Sequence, residues 1–176
     1  GNYSIIVGGQ NNTARSQYTS IVNGVNNSIS TSSNHSFIGD GSGNEISSSY
    51  SNIVGGEGNS ISNDHSFIGS GLNNSTVGDH SVVVGGQSNT ISGNGGHSTI
   101  VGGQQNDISG TYGFLGGGKD NIITNNYSVI SGGENNLNSG AWSTIAGGQG
   151  NNISGVDHSF IGGGKDNITT QDFQAM

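Results

Sequence analysis

The feature that most constrains this chain is a short repeat running its whole length. A unit opens on an aromatic residue or His, continues with Ser, a variable residue, Ile, another variable residue and Gly, and carries Asn at its tenth position with an apolar residue two places later. Eleven units begin at Tyr3, Tyr18, His35, Tyr50, His65, His80, His97, Tyr112, Tyr127, Trp142 and His158. Their spacing is 15 residues, with steps of 17 after Tyr18 and His80 and of 16 after Trp142. So short a period fits one turn of a narrow solenoid. The expected fold is all-β, a parallel β-solenoid or β-roll of about eleven coils, with residues 1–169 as one repeat domain and 170–176 as a tail or the start of another segment.

Register assigns a task to each position. The fourth is Ile21, Ile38, Ile53, Ile68, Ile100, Ile130, Ile145 and Ile161, with Ile6, Val83 and Leu115 completing a column that never turns polar. The second is Ser or Thr in every unit except at Gly113, and strand alternation places it on the same side as the Ile column. The ring column and position three then face the other way. Position ten is Asn throughout, as Asn12, Asn27, Asn44, Asn59, Asn74, Asn89, Asn106, Asn121, Asn136, Asn151 and Asn167. Such a column predicts a corner ladder in which each amide bonds the neighbouring coil and its own turn, at a backbone position where Asn accepts left-handed φ. Position twelve forms a second apolar line through Ile29, Ile46, Ile61, Ile91, Ile108, Ile123 and Ile153, with Ala14, Thr76 and Asn138 as exceptions and Ile168 one place early. Gly pairs and triplets close the first strand of most units and read as turns; with no helical pattern after them they are not a phosphate-binding loop.

Composition matters at this point. Gly, Ser and Asn make up half of the 176 residues and only 28% are apolar. That content alone would permit disorder, and the strict register excludes it. It also predicts a thin core of roughly two apolar side chains per coil, with no Cys to staple it. Side-by-side association of identical rods is the expected supplement, and the ring column is the expected interface or ligand face. A net charge of -8 with three basic residues argues against nucleic acid and against anionic membrane as partners, and no segment is apolar enough for membrane insertion.

The units His158-Ser159-Phe160-Ile161-Gly162-Gly163-Gly164 and Tyr50-Ser51-Asn52-Ile53-Val54-Gly55-Gly56 resemble the head repeats of trimeric autotransporter adhesins, and similar repeats occur in phage and viral fibre proteins. The resemblance covers nearly the full chain. It implies a left-handed parallel β-roll, a homotrimer, and a non-enzymatic role in attachment to host cells, matrix protein or glycan. The setting it implies is extracellular, at a bacterial cell surface; the fibre reading would put the chain on a virion as a structural or receptor-binding domain. Gly1 in place of an initiator Met, and the departure of 170–176 from the repeat, suggest a piece of a longer protein.

Chemistry-bearing residues support no catalytic reading, and no cofactor or metal is expected. All five His residues share the ring column with Tyr and Trp, so packing explains them more simply than metal binding. Acidic residues from Asp40 to Asp172 scatter around the turns without the dense Asp repeat of calcium-binding rolls, and no Ser stands in a nucleophile elbow. Lys119-Asp120 and Lys165-Asp166 read as charged solvent turns. Regular Thr files of an ice-binding face are absent. The Asn-x-Ser/Thr triplets at Asn2, Asn11, Asn26, Asn34, Asn73, Asn74, Asn126 and Asn167 are those expected by chance in such a composition.

Overall fold

The computed structural model describes residues 3–93 and 95–171. Each coil contributes two strands of two residues. The first ends on position four, as in Ser20–Ile21 and Phe37–Ile38, and the second on position twelve, as in Ser28–Ile29 and Glu45–Ile46. First strands pair in parallel only with first strands, and second with second, giving two eleven-stranded sheets that run the length of the rod. A third line of parallel bridges follows position eight from Gln10 and Val25 to Gln149 and Lys165. Position eight mixes Gln, Val, Ser, Glu, Leu and Lys, so no residue-type column signals this line in the sequence. The 17-residue steps do not disturb register, since Ser20 pairs with Phe37 and Val82 with Thr99 as in 15-residue units. The additional residues are accommodated between the second strand and the next ring.

The core is the two expected columns. From Ile21 to Ile161 position four has no exposure, and neither do Ile29, Ile46, Ile61, Ile91, Ile108, Ile123 and Ile153 on the opposite wall. Each such side chain contributes about 1.5–3 kcal/mol by leaving water. Position two lines the same interior and replaces apolar volume with hydrogen bonds: Ser36 Oγ donates to the Ser48 carbonyl at 2.9 Å and accepts the Ser51 N–H at 3.2 Å. The same link to the next coil recurs from Ser51 to Ser66 and from Ser143 to Ser159.

The exceptions on the second wall keep their places. Thr76, Asn138 and Thr169 are fully buried. Asn138 is satisfied, its amide donating to the carbonyls of Ser143 at 2.9 Å and Val129 at 3.2 Å. The hydroxyls of Thr76 and Thr169 have no partner among the described residues. In the last unit Ile168 does not enter the core early. It faces outward at 53% exposure while Thr169 takes the interior position, because the pairing of Ile168 with Asn152 holds the strand in register.

The Asn ladder forms, with one correction. From Asn12 to Asn151 each ladder amide donates to the carbonyl four residues earlier and to the position-seven Gly carbonyl of the next coil at 2.8–3.0 Å, and its oxygen accepts the next ladder Asn N–H. Left-handed φ falls instead on the residue just before, at Asn11, Asn26, Asn73, Ser88, Gln105, Asp120, Asn135 and Asp166. There the peptide flips, and its N–H points to the preceding coil: Asn26 N–H donates to Gln10 O at 2.9 Å. Position seven is glycine in every coil, with φ of 89–110° from Gly9 to Gly164. Except at Gly164, a Cβ there would overlap the carbonyl of the next coil's glycine, so this column sets how closely the coils stack.

Candidate functional face: a ladder of rings

All eleven residues of the ring column stack on their neighbours, with centroids 4.7–5.5 Å apart. This is the strand-stacking repeat carried outward by side chains. Every ring residue sits at φ of 50–63°, which a bulky L-residue rarely adopts. As at position nine, the flipped peptide donates to the coil before, for example Tyr50 N–H to Asn34 O at 2.8 Å. The inverted corner throws the side chain clear of the core, and the neighbouring rings are there for it to pack on. Stacking, worth about 0.5–1.5 kcal/mol per pair, offsets the backbone cost. The faces are consumed in this way and the edges are left in solvent, with Tyr50 at 51% and Trp142 at 55% exposure.

That geometry bears on the metal reading. The rings of His65, His80 and His97 lie 4.7 and 4.8 Å apart within 9° of parallel. Imidazole lone pairs lie in the ring plane, so those of parallel rings do not converge on one ion. Among the described residues no three His, Cys, Asp or Glu side chains are grouped for a metal. Nor is there, among them, a helix long and apolar enough to cross a membrane.

Beside the ladder, positions three and five of the first strand also face outward. Phe occurs at position three in four described coils, and each time position five is glycine: Phe37 with Gly39, Phe67 with Gly69, Phe114 with Gly116, Phe160 with Gly162. At Gly39 and Gly69 a Cβ would lie 3.4 and 3.5 Å from the Phe Cε1 and would overlap the next coil's carbonyl. The ring therefore leans along its strand onto the glycine. Coils without Phe carry Val, Ser or Ala at position five instead, such as Val54, Val84 and Val101. Across all eleven units, positions one to five contain no Asp, Glu, Lys or Arg. The acidic and basic residues are confined to the remaining turns and the second-strand side, where Lys119 and Asp120 make a half-exposed pair at 3.5 Å. No protein-family model matches this sequence, and no curated protein does. Function must therefore be argued from the face itself.

One carboxylate column went unrecognised in the sequence. The residue immediately ahead of each ring caps the preceding coil when it is Asp or Asn. Asp64 accepts the Ser49 N–H at 2.7 Å, Asp79 the Asp64 N–H at 3.0 Å, Asn126 the Thr111 N–H at 2.9 Å and Asp157 the Ala141 N–H at 2.9 Å. Three of the scattered acids are thus turn caps, and the signal available was their fixed offset from the ring. Asp107 differs: it is half-buried on the second-strand side, its carboxyl is pushed above the ordinary range by desolvation, and a 3.1 Å hydrogen bond from Ser92 opposes that shift. Among the glycosylation triplets, Asn74 is buried in the ladder whereas Asn11, Asn26, Asn34, Asn73 and Asn126 are exposed. Asn2, Asp172 and the tail from 172 onward lie outside the described residues.

Proposed function

We propose that this chain is an attachment segment of a surface-projecting rod, an adhesin head or fibre domain, whose copies associate side by side as a trimer through the first-strand face. The supporting observation is the uncharged stripe of rings, Phe and Val that runs the whole rod. Eleven coils at about 4.8 Å and three outward columns span an area on the order of 50 by 13 Å. That approaches the ~800 Å² per partner of a stable interface, and an uncharged strip of this size carrying Tyr, Trp, Phe and Val among His, Ser, Thr and Asn fits an interaction surface. Attachment through such a rod would rest on many weak, repeated contacts rather than on one catalytic pocket. The extracellular setting, bacterial or viral, follows from the same reading.

The test is the mass in solution. Sedimentation equilibrium is expected to give three times 17.7 kDa, with Phe114→Glu shifting the population toward monomer and Ser47→Glu, on the second-strand side, leaving it unchanged. A wild-type mass near 17.7 kDa overturns the association. Attachment is measured separately, as retention of the protein on host cells and immobilised matrix proteins.

A further inference from the structure

The ladder is irregular at one place. The stacking angle between His97 and Tyr112 is 23°, against 14° or less for every other pair. His97 is also where the second 17-residue step ends, and the residue ahead of it, Gly96, is the one glycine among the described residues of the capping column. With no side chain between Asp79 and Thr111, a cleft of about 500 Å³ opens beside the ladder. This volume is in the range of small-molecule sites.

Its polar lining is largely uncommitted. Asp79 uses one carboxylate oxygen to cap Asp64, and its other oxygen has no hydrogen-bond partner among the described residues. Asn126 accepts from Thr111 through Oδ1, and its Nδ2 has no partner among the described residues. Thr111 and Asn63 also line the cleft, and their side chains have no hydrogen-bond partner among the described residues. An acceptor carboxylate, two amides and a hydroxyl around one space suit a ligand with adjacent hydroxyl groups, because a carboxylate can accept from two neighbouring hydroxyls while amides serve the remaining oxygens. An apolar ligand would leave these groups unpaired on burial. An anionic ligand would face Asp79 and a chain of net charge -8.

We propose that the notch at Gly96 binds one ring of a neutral saccharide, held by Asp79, Thr111, Asn126 and Asn63 on the capping-column side of the ladder. The proposal rests on the attachment reading and gives it a ligand class. It is tested by saturation-transfer NMR and calorimetry with methyl glycosides of glucose, galactose, mannose and N-acetylglucosamine, and with sialyllactose as the anionic comparison. At least one neutral glycoside is expected to bind at millimolar concentration, and sialyllactose to bind more weakly. Gly96→Asn fills the notch, and Asp79→Asn keeps the capping oxygen but removes the charge. Each is expected to weaken binding tenfold or more with the thermal transition retained; if Gly96→Asn fails to fold, Asp79→Asn decides. The proposal is overturned if no neutral glycoside binds, if sialyllactose binds best, or if Asp79→Asn binds as wild type does. Retention on cells without glycoside binding would sink the notch and leave the attachment reading standing, and glycoside binding without retention would do the reverse.

Discussion

The side-chain amide of Asn89 donates to the carbonyl of Gly103 in the next coil at 3.0 Å, and a Cβ on Gly103 would lie 2.6 Å from the amide of Asn106 in its own coil. Positions seven and ten are therefore one device. The glycine lets the coils approach closely enough for the amide to reach across, and the amide occupies the space a side chain on the glycine would need.

Asn89→Ala removes donors to Gly85 and Gly103 and the acceptor of the Asn106 N–H, all inside the rod. Each buried group left unpaired costs about 1–3 kcal/mol, so a loss of about 2–4 kcal/mol is expected in equilibrium urea unfolding. Asn89→Asp keeps the acceptor but turns a carboxylate on two carbonyls. It is expected to be worse than Ala at neutral pH and to recover toward it in acid. Equal losses for the two variants at pH 7 would show that the donors are not what matters.

Gly102 and Gly103 are adjacent and chemically identical, yet their substitutions should differ sharply. A Cβ on Gly102 meets nothing within 4 Å, whereas Gly103 has φ of 91° and faces the Gly118 carbonyl. Gly102→Ala is expected within about 1 kcal/mol of wild type, with reduced unfolded-state freedom on its side. Gly103→Ala must separate two coils, and its melting temperature should fall well below that of Gly102→Ala. Similar melting curves would refute the close-stacking role of position seven.

This contrast bears on what was legible in the sequence. The Asn and Ile columns could be read because identity and burial demand coincide at one register position, as at Asn59 and Ile53. The glycine column is just as strict, and Asn23-Gly24, Asp40-Gly41 and Ser70-Gly71 mark its register, but beside pairs such as Gly55-Gly56 and Gly102-Gly103 it reads as a plain turn, and what a Cβ there would meet in the next coil appears only in the structure. The ring corner was hidden for the opposite reason. Left-handed backbone is usually signalled by Gly or Asn, and Trp142 at φ of 50° gives no such signal until its stacking partners, Tyr127 and His158, are in place. The notch at Gly96 was legible only as an unusual spacing, because a cleft depends on what lies beside it in neighbouring coils.

Thr76 stands between Ile61 and Ile91 on the second wall, fully buried with an unpaired hydroxyl. Thr76→Val keeps the shape and removes the polar atom. A gain of about 1–2 kcal/mol is expected from chemical denaturation. A loss of stability would mean that the hydroxyl has a partner, such as a buried water.

Asp107 supplies the pH dependence. Desolvation raises its folded-state pKa above the ordinary 3.8, while the unfolded chain titrates near that ordinary value. Below it both states carry the proton and the group contributes no penalty. As pH rises from the unfolded value through the folded one, the unfolded state ionises first, so this residue subtracts stability, and the full subtraction is present at neutral pH. Asn at this position can still accept from Ser92, as Asp107 does at 3.1 Å, without presenting a charge. Asp107→Asn is therefore expected to be more stable than wild type at pH 7 and to lose that advantage by pH 3. The check is a pair of urea titrations at the two pH values for each protein. An advantage of the same size at both would assign it to something other than ionisation, and a deficit at pH 7 would mean that the charge is stabilised by groups outside the half-buried site between Thr90 and Ile122.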